Sequence, residues 1–300
     1  MTQQLKAVSF GEILYDIFPN SEKIGGAPLN VASRLSANGI DTTMISSVGQ
    51  DKKGKNLLEY LKSRKIDHSL VAETPDYPTG MVNVKLDKSG SASYTIEYPA
   101  AWDKIDISEK MIEKVKTSDA FIFGSLVCRD QKSRETLTEL LQHAKFSVFD
   151  INLRPPHYKK ELLEELILKA DFIKFNDDEL YEIAAMLDSP FHSLEQNLSY
   201  MAKITNAKTI CVTKGSHGAV LFTEGKLYYN SGYKIKVADT VGAGDSFLGS
   251  LISKLLKKEA PQHALNYACA IGALVASQEG ANPEFTPEEI EKFMFPDANS

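Results

Sequence analysis

Short apolar runs alternate with longer amphipathic ones along this chain. The runs "KAVSF", "TTMISSV", "DAFIFGSL", "FSVFDIN", "DFIKF" and "KTICVTKG" read as strands, each followed by a helical pattern. That alternation predicts a mostly parallel sheet with helices on both faces. In such sheets the crossovers are right-handed and ligands collect beyond the carboxyl ends of the strands. Candidate chemistry is therefore to be sought in strand-following loops.

One segment breaks the rhythm. "TGMVNVKLDKSGSASYTIEY", Thr79 to Tyr98, holds two alternating runs around "DKSG", the pattern of an antiparallel hairpin. It looks like an insertion or lid; the plainer reading is an edge hairpin of the main sheet. The chain contains no internal repeat, low-complexity tract or linker.

Composition narrows the function classes. The 300 residues, 43% hydrophobic and 25% charged, are enough to bury a large core. A formal net charge of -6 argues against general binding to nucleic acid or an acidic membrane, which needs clustered Lys and Arg. The short basic run at Lys52, Lys53 and Lys55 reads as a solvated helix start. Three widely spaced cysteines, Cys128, Cys211 and Cys269, with no CxxC pair, speak against a disulfide framework or a zinc site and for small core residues. The first residues, "MTQQLKAVSF", lack the pattern of a signal peptide, and no stretch approaches about 20 apolar residues. The expectation is a cytoplasmic, soluble protein.

Two stretches suggest phosphate binding. "VGQDKKGKN", Val48 to Asn56, has nearly the spacing of a P-loop, but Asn56 replaces the metal-binding hydroxyl and Asp51 would put a carboxylate inside the anion cradle. It reads as a strand-to-helix turn. "ADTVGAGDSFLGSLISKLL", Ala238 to Leu256, is the stronger signal. Apolar Phe247, Leu248, Leu251, Ile252, Leu255 and Leu256 mark one helical face, and the helix begins at Gly242, Ala243 and Gly244. Backbone N–H groups there can approach an anion, helped by the helix dipole. Asp245, in the first turn, would repel a phosphate unless it takes a hydroxyl proton as a base beside that anion hole. A plain acidic residue at a helix start fits the local pattern equally well.

"DTVGAGD" closely resembles the C-terminal signature of the ribokinase-like, or PfkB-type, carbohydrate kinases, and the similarity runs along nearly the whole chain. In order it takes in "GEILYDIFP", "GGAPLNVA" at Gly25–Ala32, "SVGQDKKG", "DINLRPP" at Asp150–Pro156, "NDDE" at Asn176–Glu179 and "TKGSHGA" at Thr213–Ala219. The resemblance is closest to bacterial fructokinases. It implies a ribokinase-like three-layer α/β/α fold over residues 1–300, with a mostly parallel central sheet and a small β-sheet lid formed by segments at about 12–24 and 78–103. It also implies ATP-dependent transfer of the γ-phosphoryl group, with Mg²⁺, to a sugar hydroxyl. Asp245 would be the base, with Gly242, Ala243 and Gly244 in the anion hole.

The same resemblance assigns further roles. Asp16 looks like the sugar-binding carboxylate, with Gly26 and Asn30 beside it; the plainer readings are a surface turn acid and a helix cap. Arg154 would clamp phosphate or sugar oxygens, oriented by Asn152. Ile151 stands where many relatives carry Pro. Asn176 and Glu179 match the family's NxxE element, which organises Mg²⁺ and phosphates through water, and a helix start with a capping Asn fits the same residues. Thr213, Gly215 and Gly218 would lie by the nucleotide, with Asn266 and Ala270 toward the adenine. His217 is expected at the surface. Asp239 leaves open a monovalent cation, K⁺, held through backbone oxygens near "DT" and "SQEGAN". Trp102 is expected to anchor the lid, and lids of this type imply a homodimer.

The expected substrate is fructose, with 2-keto-3-deoxygluconate and ribose as alternatives. An acidic sugar would call for a further Arg or Lys, and none stands in the "GEILYDIFP" or "GGAPLN" loops. A catalytically silent sugar-binding module is the reading from another class. A dinucleotide-dependent oxidoreductase would need a GxGxxG after the first strand, which runs instead into "GEILYD".

Overall fold

The computed structural model describes residues 4–86 and 92–296. The chain forms two compact units, residues 1–121 with 126–145, and residues 122–125 with 146–300.

The first unit opens on β1 (Lys6–Phe10), β2 (Leu14–Phe18) and β3 (Ser21–Gly25), followed by α1 (Ala27–Ala37), β4 (Asp41–Gly49), α2 (Lys52–Ser63) and β5 (Asp67–Thr74). It continues through β6 (Gly80–Leu86), β7 (Ala92–Ile96), α3 (Glu109–Thr117), β8 (Ala120–Gly124), whose last residues enter the second unit, and α4 (Gln131–Leu141). The second unit comprises β9 (Ser147–Asp150), α5 (Lys160–Leu168), β10 (Phe172–Asn176), α6 (Asp177–Met186), α7 (Leu194–Ile204) and β11 (Thr209–Thr213). It ends with β12 (Ala219–Thr223), β13 (Lys226–Asn230), α8 (Ala243–Leu256), α9 (Pro261–Ala276) and α10 (Pro287–Met294).

Nine strands form one sheet in the order β13-β12-β11-β10-β9-β8-β1-β4-β5. The pairs β1 with β4, β4 with β5, β9 with β10 and β10 with β11 are parallel. The β12 and β13 strands add in antiparallel fashion. The six sequence-predicted strands are β1, β4, β8, β9, β10 and β11.

A separate sheet has the order β3-β2-β6-β7. The 79–98 hairpin is thus no edge of the large sheet: β6 and β7 pair antiparallel from Val82↔Ile96 to Leu86↔Ala92, and β6 runs parallel to β2 from Leu14↔Gly80 to Ile17↔Asn83. The expected "DKSG" turn lies outside the described residues. Packing holds β2 in place. Tyr15, with Ile13 just before the strand, shares a buried cluster with Leu29 of α1, Met44 and Val48 of β4, and Leu57 and Leu61 of α2. Each such side chain is worth roughly 1.5–3 kcal/mol on burial, against roughly 1 kcal/mol for a strand hydrogen bond.

In the second unit, α9 begins with Pro261 and carries small residues along its length. Its Ile271 and Val275 pack with Ile290 of α10, and Ala243 at the start of α8 lies against the same cluster. All three cysteines are buried and free, as their spacing predicts. Among the described residues, no helix is long and apolar enough to cross a membrane.

Candidate functional site

Strand register in the second unit aligns the carboxyl ends of β9, β10 and β11. Lys174 is the cross-strand partner of Asp150, and Asn176 that of Thr213. Lys174 interrupts an otherwise apolar strand and is only 6% exposed; its Nζ donates to Asp150 Oδ1 at 2.8 Å, and Asp150 is 4% exposed. The second oxygen, Asp150 Oδ2, is buried and has no hydrogen-bond partner among the described residues. Burial alone would pull the Lys174 ammonium down, yet the carboxylates of Asp150, Glu179 and Asp245 hold it above the ordinary lysine value.

Glu179 joins this group from the first turn of α6. Asn176 caps that helix by accepting from the Glu179 N–H at 2.8 Å, and Glu179 Oε2 accepts from the Asn176 N–H at 2.8 Å. The remaining oxygen, Oε1, accepts from Leu153 N–H at 2.9 Å. One buried carboxylate thereby ties the "DINLRPP" loop to the "NDDE" helix start. Burial pushes its carboxyl above the usual range, against the opposing pull of Lys174. The capping reading of "NDDE" describes its local geometry, and each Glu179 oxygen keeps a further lone pair for a water or cation.

The start of α8 is built by close approach. Gly242, the residue before the helix, has φ 75°, and a Cβ there would come within 2.5 Å of the Ala281 side chain. Only glycine meets both conditions. Asp239 closes the turn: its Oδ1 accepts from Val241 N–H at 3.0 Å, and its Oδ2 accepts from Gly280 N–H at 3.3 Å. The "DT" and "SQEGAN" stretches are thus side by side. The Ala243 N–H donates back to the Thr240 carbonyl at 3.3 Å, which takes it out of the expected anion hole in this arrangement. Helix geometry leaves the next N–H group, that of Gly244, with no partner inside the helix. Gly244 is exposed and Asp245 half-buried at this edge. A Cβ added to Gly244 would lie 3.8 Å from Lys174 Nζ, so the buried ammonium sits close behind the turn.

The remaining predicted residues of this unit have distinct surroundings. Asn152 takes the left-handed φ of 40°, which Asn tolerates better than most side chains. Arg154 is exposed, with Nη1 donating to the Leu153 carbonyl at 2.9 Å. Ile151, at the position many relatives give to Pro, is buried; its N–H donates to the Lys174 carbonyl and its carbonyl accepts from Ser125 Oγ. Thr213 Oγ1 donates to the Phe175 carbonyl at 3.3 Å. Gly215 and Gly218 flank a short helical turn after β11, Gly218 being pressed against the backbone of Asn230 and Gly232, and His217 is exposed. Asn266 is half-buried, its Oδ1 accepting from Asn230 and Gln262, both at 2.9 Å, whereas Ala270 is fully buried.

The first unit holds the predicted sugar-binding residues. Asp16 is half-buried in the middle of β2 rather than in a turn, and its Oδ2 occupies the space a Cβ on Gly25 would fill. Gly26 precedes α1 and backs against the Glu12 carbonyl. Asn30 is no helix cap: it is buried inside α1, with its N–H donating to Gly26 O at 3.0 Å. Lys23 is the cross-strand partner of Asp16. Trp102 is fully buried, the Arg129 guanidinium lies 4.0 Å from its ring centroid, and Gly80 at the start of β6 presses on its Nε1 edge.

Sequence reasoning missed Lys174, Asp150, Gly25 and Lys23. Lys174 had a visible signal, a charge within an apolar run, and Gly25 stood in the quoted glycine pair. Lys23 lies between the "GEILYDIFP" and "GGAPLN" loops rather than in either. The weight of Asp150 depends on its partner.

A family model described as pfkB family carbohydrate kinase matches residues 4–288. The chain is 28% identical to a fructokinase of Vibrio alginolyticus, over 95% of this chain and 97% of that protein. Its fold is similar to that of a fructokinase from Vibrio cholerae O395 in a fructose-, ADP- and calcium-bound form, with a TM-score of 0.84, 23% identity, and coverage of 97% of this chain and 99% of that one. A fructokinase from Xylella fastidiosa with bound ATP gives a TM-score of 0.86 at 20% identity, with coverage of 98% and 99%.

Proposed function

The chain belongs to the pfkB family of carbohydrate kinases and is a phosphotransferase with an alcohol group as acceptor; from that premise we propose that it transfers the γ-phosphoryl group of ATP to a hydroxyl of fructose. The observation that carries the reading is the start of α8, where Gly242 in a left-handed conformation brings exposed Gly244 and half-buried Asp245 to one edge. Asp245 takes the acceptor proton there, and first-turn N–H groups receive the transferring charge. Asp16, held across Gly25, pairs with sugar hydroxyls, and Gly26 and Asn30 complete that side. Arg154 and Asn152 meet phosphate or sugar oxygens from the loop after β9.

The donor set suits Mg·ATP. Glu179 offers two buried oxygens that each keep an open lone pair, which fits a magnesium ion reached through water. When bound, that ion neutralises charge on the transferring group. Asn176, Thr213, Gly215 and Asn266 line the nucleotide side, whereas Gly218 and Ala270, both buried, shape it without touching the ligand, and the Asp239 turn suits a K⁺ held by backbone oxygens. The β2–β3 and β6–β7 hairpins act as the lid over the sugar. Exposed Tyr94 on β7 supports pairing of two lids in a homodimer, which we place in the cytoplasm. A monomeric mass in solution scattering at micromolar concentration would contradict the dimer.

A second reading has one observation in its favour. Lys23, opposite Asp16 in the small sheet, is a cation on the strand that flanks the sugar carboxylate, and it would suit an acidic sugar such as 2-keto-3-deoxygluconate. ADP release with fructose, ribose and 2-keto-3-deoxygluconate separates the readings. Turnover with fructose at low KM supports the first, and preference for the acidic sugar, lost in Lys23→Met, supports the second. ATP or sugar binding without turnover on any of them would favour a silent module.

A further inference from the structure

We propose that Lys174 is a positioning residue for phosphoryl transfer, its buried ammonium fixing positive charge directly behind Gly244 at the start of α8, where the transferred group arrives. The inference rests on the reading of the Gly242–Asp245 turn as the anion hole.

Three observations carry it. The amine is reached from the turn without an intervening side chain, since Gly244 has none and a Cβ there would stand 3.8 Å from Nζ. The charge is nearly sealed from water, with Lys174 6% exposed and flanked in its strand by buried Phe172, Ile173 and Phe175, so its field is little screened. The pair it makes with Asp150 is also incomplete, because Asp150 Oδ2 is buried and unpartnered among the described residues.

That incompleteness separates a structural role from a functional one. A buried ion pair left partly unsatisfied is a poor stabilising device, and apolar residues of similar volume usually serve stability as well or better. A cation kept at that cost, beside three carboxylates and behind an anion-binding turn, has a use when negative charge develops on the equatorial oxygens of the transferring group. Lys174 does not touch the substrate in this scheme. It acts through the turn, as fixed charge that needs no reorganisation during the reaction.

The test compares Lys174→Met with the double variant Lys174→Met/Asp150→Asn. ADP release is measured with sugar and with water as acceptor, alongside KM for each substrate, ATP binding by calorimetry, and Tm. Lys174→Met is expected to lower kcat by roughly 10–100-fold, to leave KM for the sugar within about threefold, and to lower Tm. The double variant removes both charges, so its Tm should return toward wild type while kcat stays at least about tenfold down. Recovery of kcat together with Tm would reduce Lys174 to a counter-ion for Asp150 and overturn the proposal, as would a normal kcat in either variant. If Lys174→Met does not fold, the double variant decides alone. If no sugar is turned over, the water reaction still reads the effect. Asp245→Asn, assayed in parallel, tests the base reading separately: normal turnover there with a loss in the double variant would sink the base and leave Lys174 standing.

Discussion

Asp51 holds Thr79 by both of its oxygens: Oδ2 accepts from the Thr79 N–H and Oδ1 from the Thr79 hydroxyl, each at 2.9 Å. The same carboxylate caps α2 through the Gly54 N–H at 2.8 Å, and the Gly49 N–H donates to Thr79 Oγ1 at 3.0 Å. The P-loop-like turn is therefore a clasp on the chain entering β6. Asp51→Ala removes a cap and leaves Thr79 without its acceptor, so a loss of about 1–3 kcal/mol is expected in urea unfolding. An unchanged midpoint would remove the clasp from the account.

Asp245→Ala should lower kcat by roughly 10²–10⁴. Asp245 lies half-buried at a helix start, where losing an acid costs about 0.3–1 kcal/mol, so Tm should fall by less than about 4 °C. Near-normal turnover in single-turnover kinetics would show that another group takes the proton.

Gly25→Ala puts a methyl where Asp16 Oδ2 now lies. The carboxylate must turn away, and a displacement of about 1 Å at a binding group can cost up to about 100-fold. KM for the sugar should rise by about tenfold or more while KM for ATP holds. Equal KM for the sugar in the two proteins would take Asp16 out of the sugar site.

Arg129 and Asp103 form a buried bidentate pair, Nε to Oδ1 and Nη2 to Oδ2, both at 2.7 Å, and Nη2 also donates to the Glu97 carbonyl at 2.6 Å. The pair pins the end of the β7 segment beside Trp102. Arg129→Ala leaves Asp103 buried without its cation, at an expected cost of about 3–5 kcal/mol. Arg129→Lys should recover only part, because an ammonium cannot reproduce the planar fork. Full recovery with Lys would reduce the site to simple charge pairing.

Asp67 ties β5 to α3 through Lys114 Nζ at 2.7 Å. Burial works against its ionised form, but Lys114 and Ser69 outweigh it and hold the carboxyl down, from 3.8 to about 2. A folded value below the unfolded one means stability that is present above about pH 4 and is lost as pH falls toward 2. Asp67→Asn should thus lower Tm by about 1–3 °C at pH 7, with the gap narrowing between pH 4 and 2. A gap of constant size across that range would mean the pair contributes no ionisation-linked stability.

Local pattern determined much of this protein. The runs "KAVSF" and "KTICVTKG" became β1 and β11 because a buried strand has to be apolar over its own length, whatever its neighbours. The α8 start was legible because glycines before an amphipathic run report a backbone requirement that is itself local. The hairpin at 79–98 was legible as a hairpin, but which sheet it joins was decided by β2, whose Leu14–Ile17 pairing with Gly80–Asn83 no alternation in either segment encodes. Lys174 stood out in "DFIKF", yet its meaning came from Asp150, set opposite it only by the β9–β10 register. Glu179 matched a motif, while its second task of holding Leu153 appeared only with the loop folded against it. Side-chain periodicity reports which face of an element leaves water. The partners met on that face depend on register and loop closure over tens of residues, and those are fixed by the packing of the whole core.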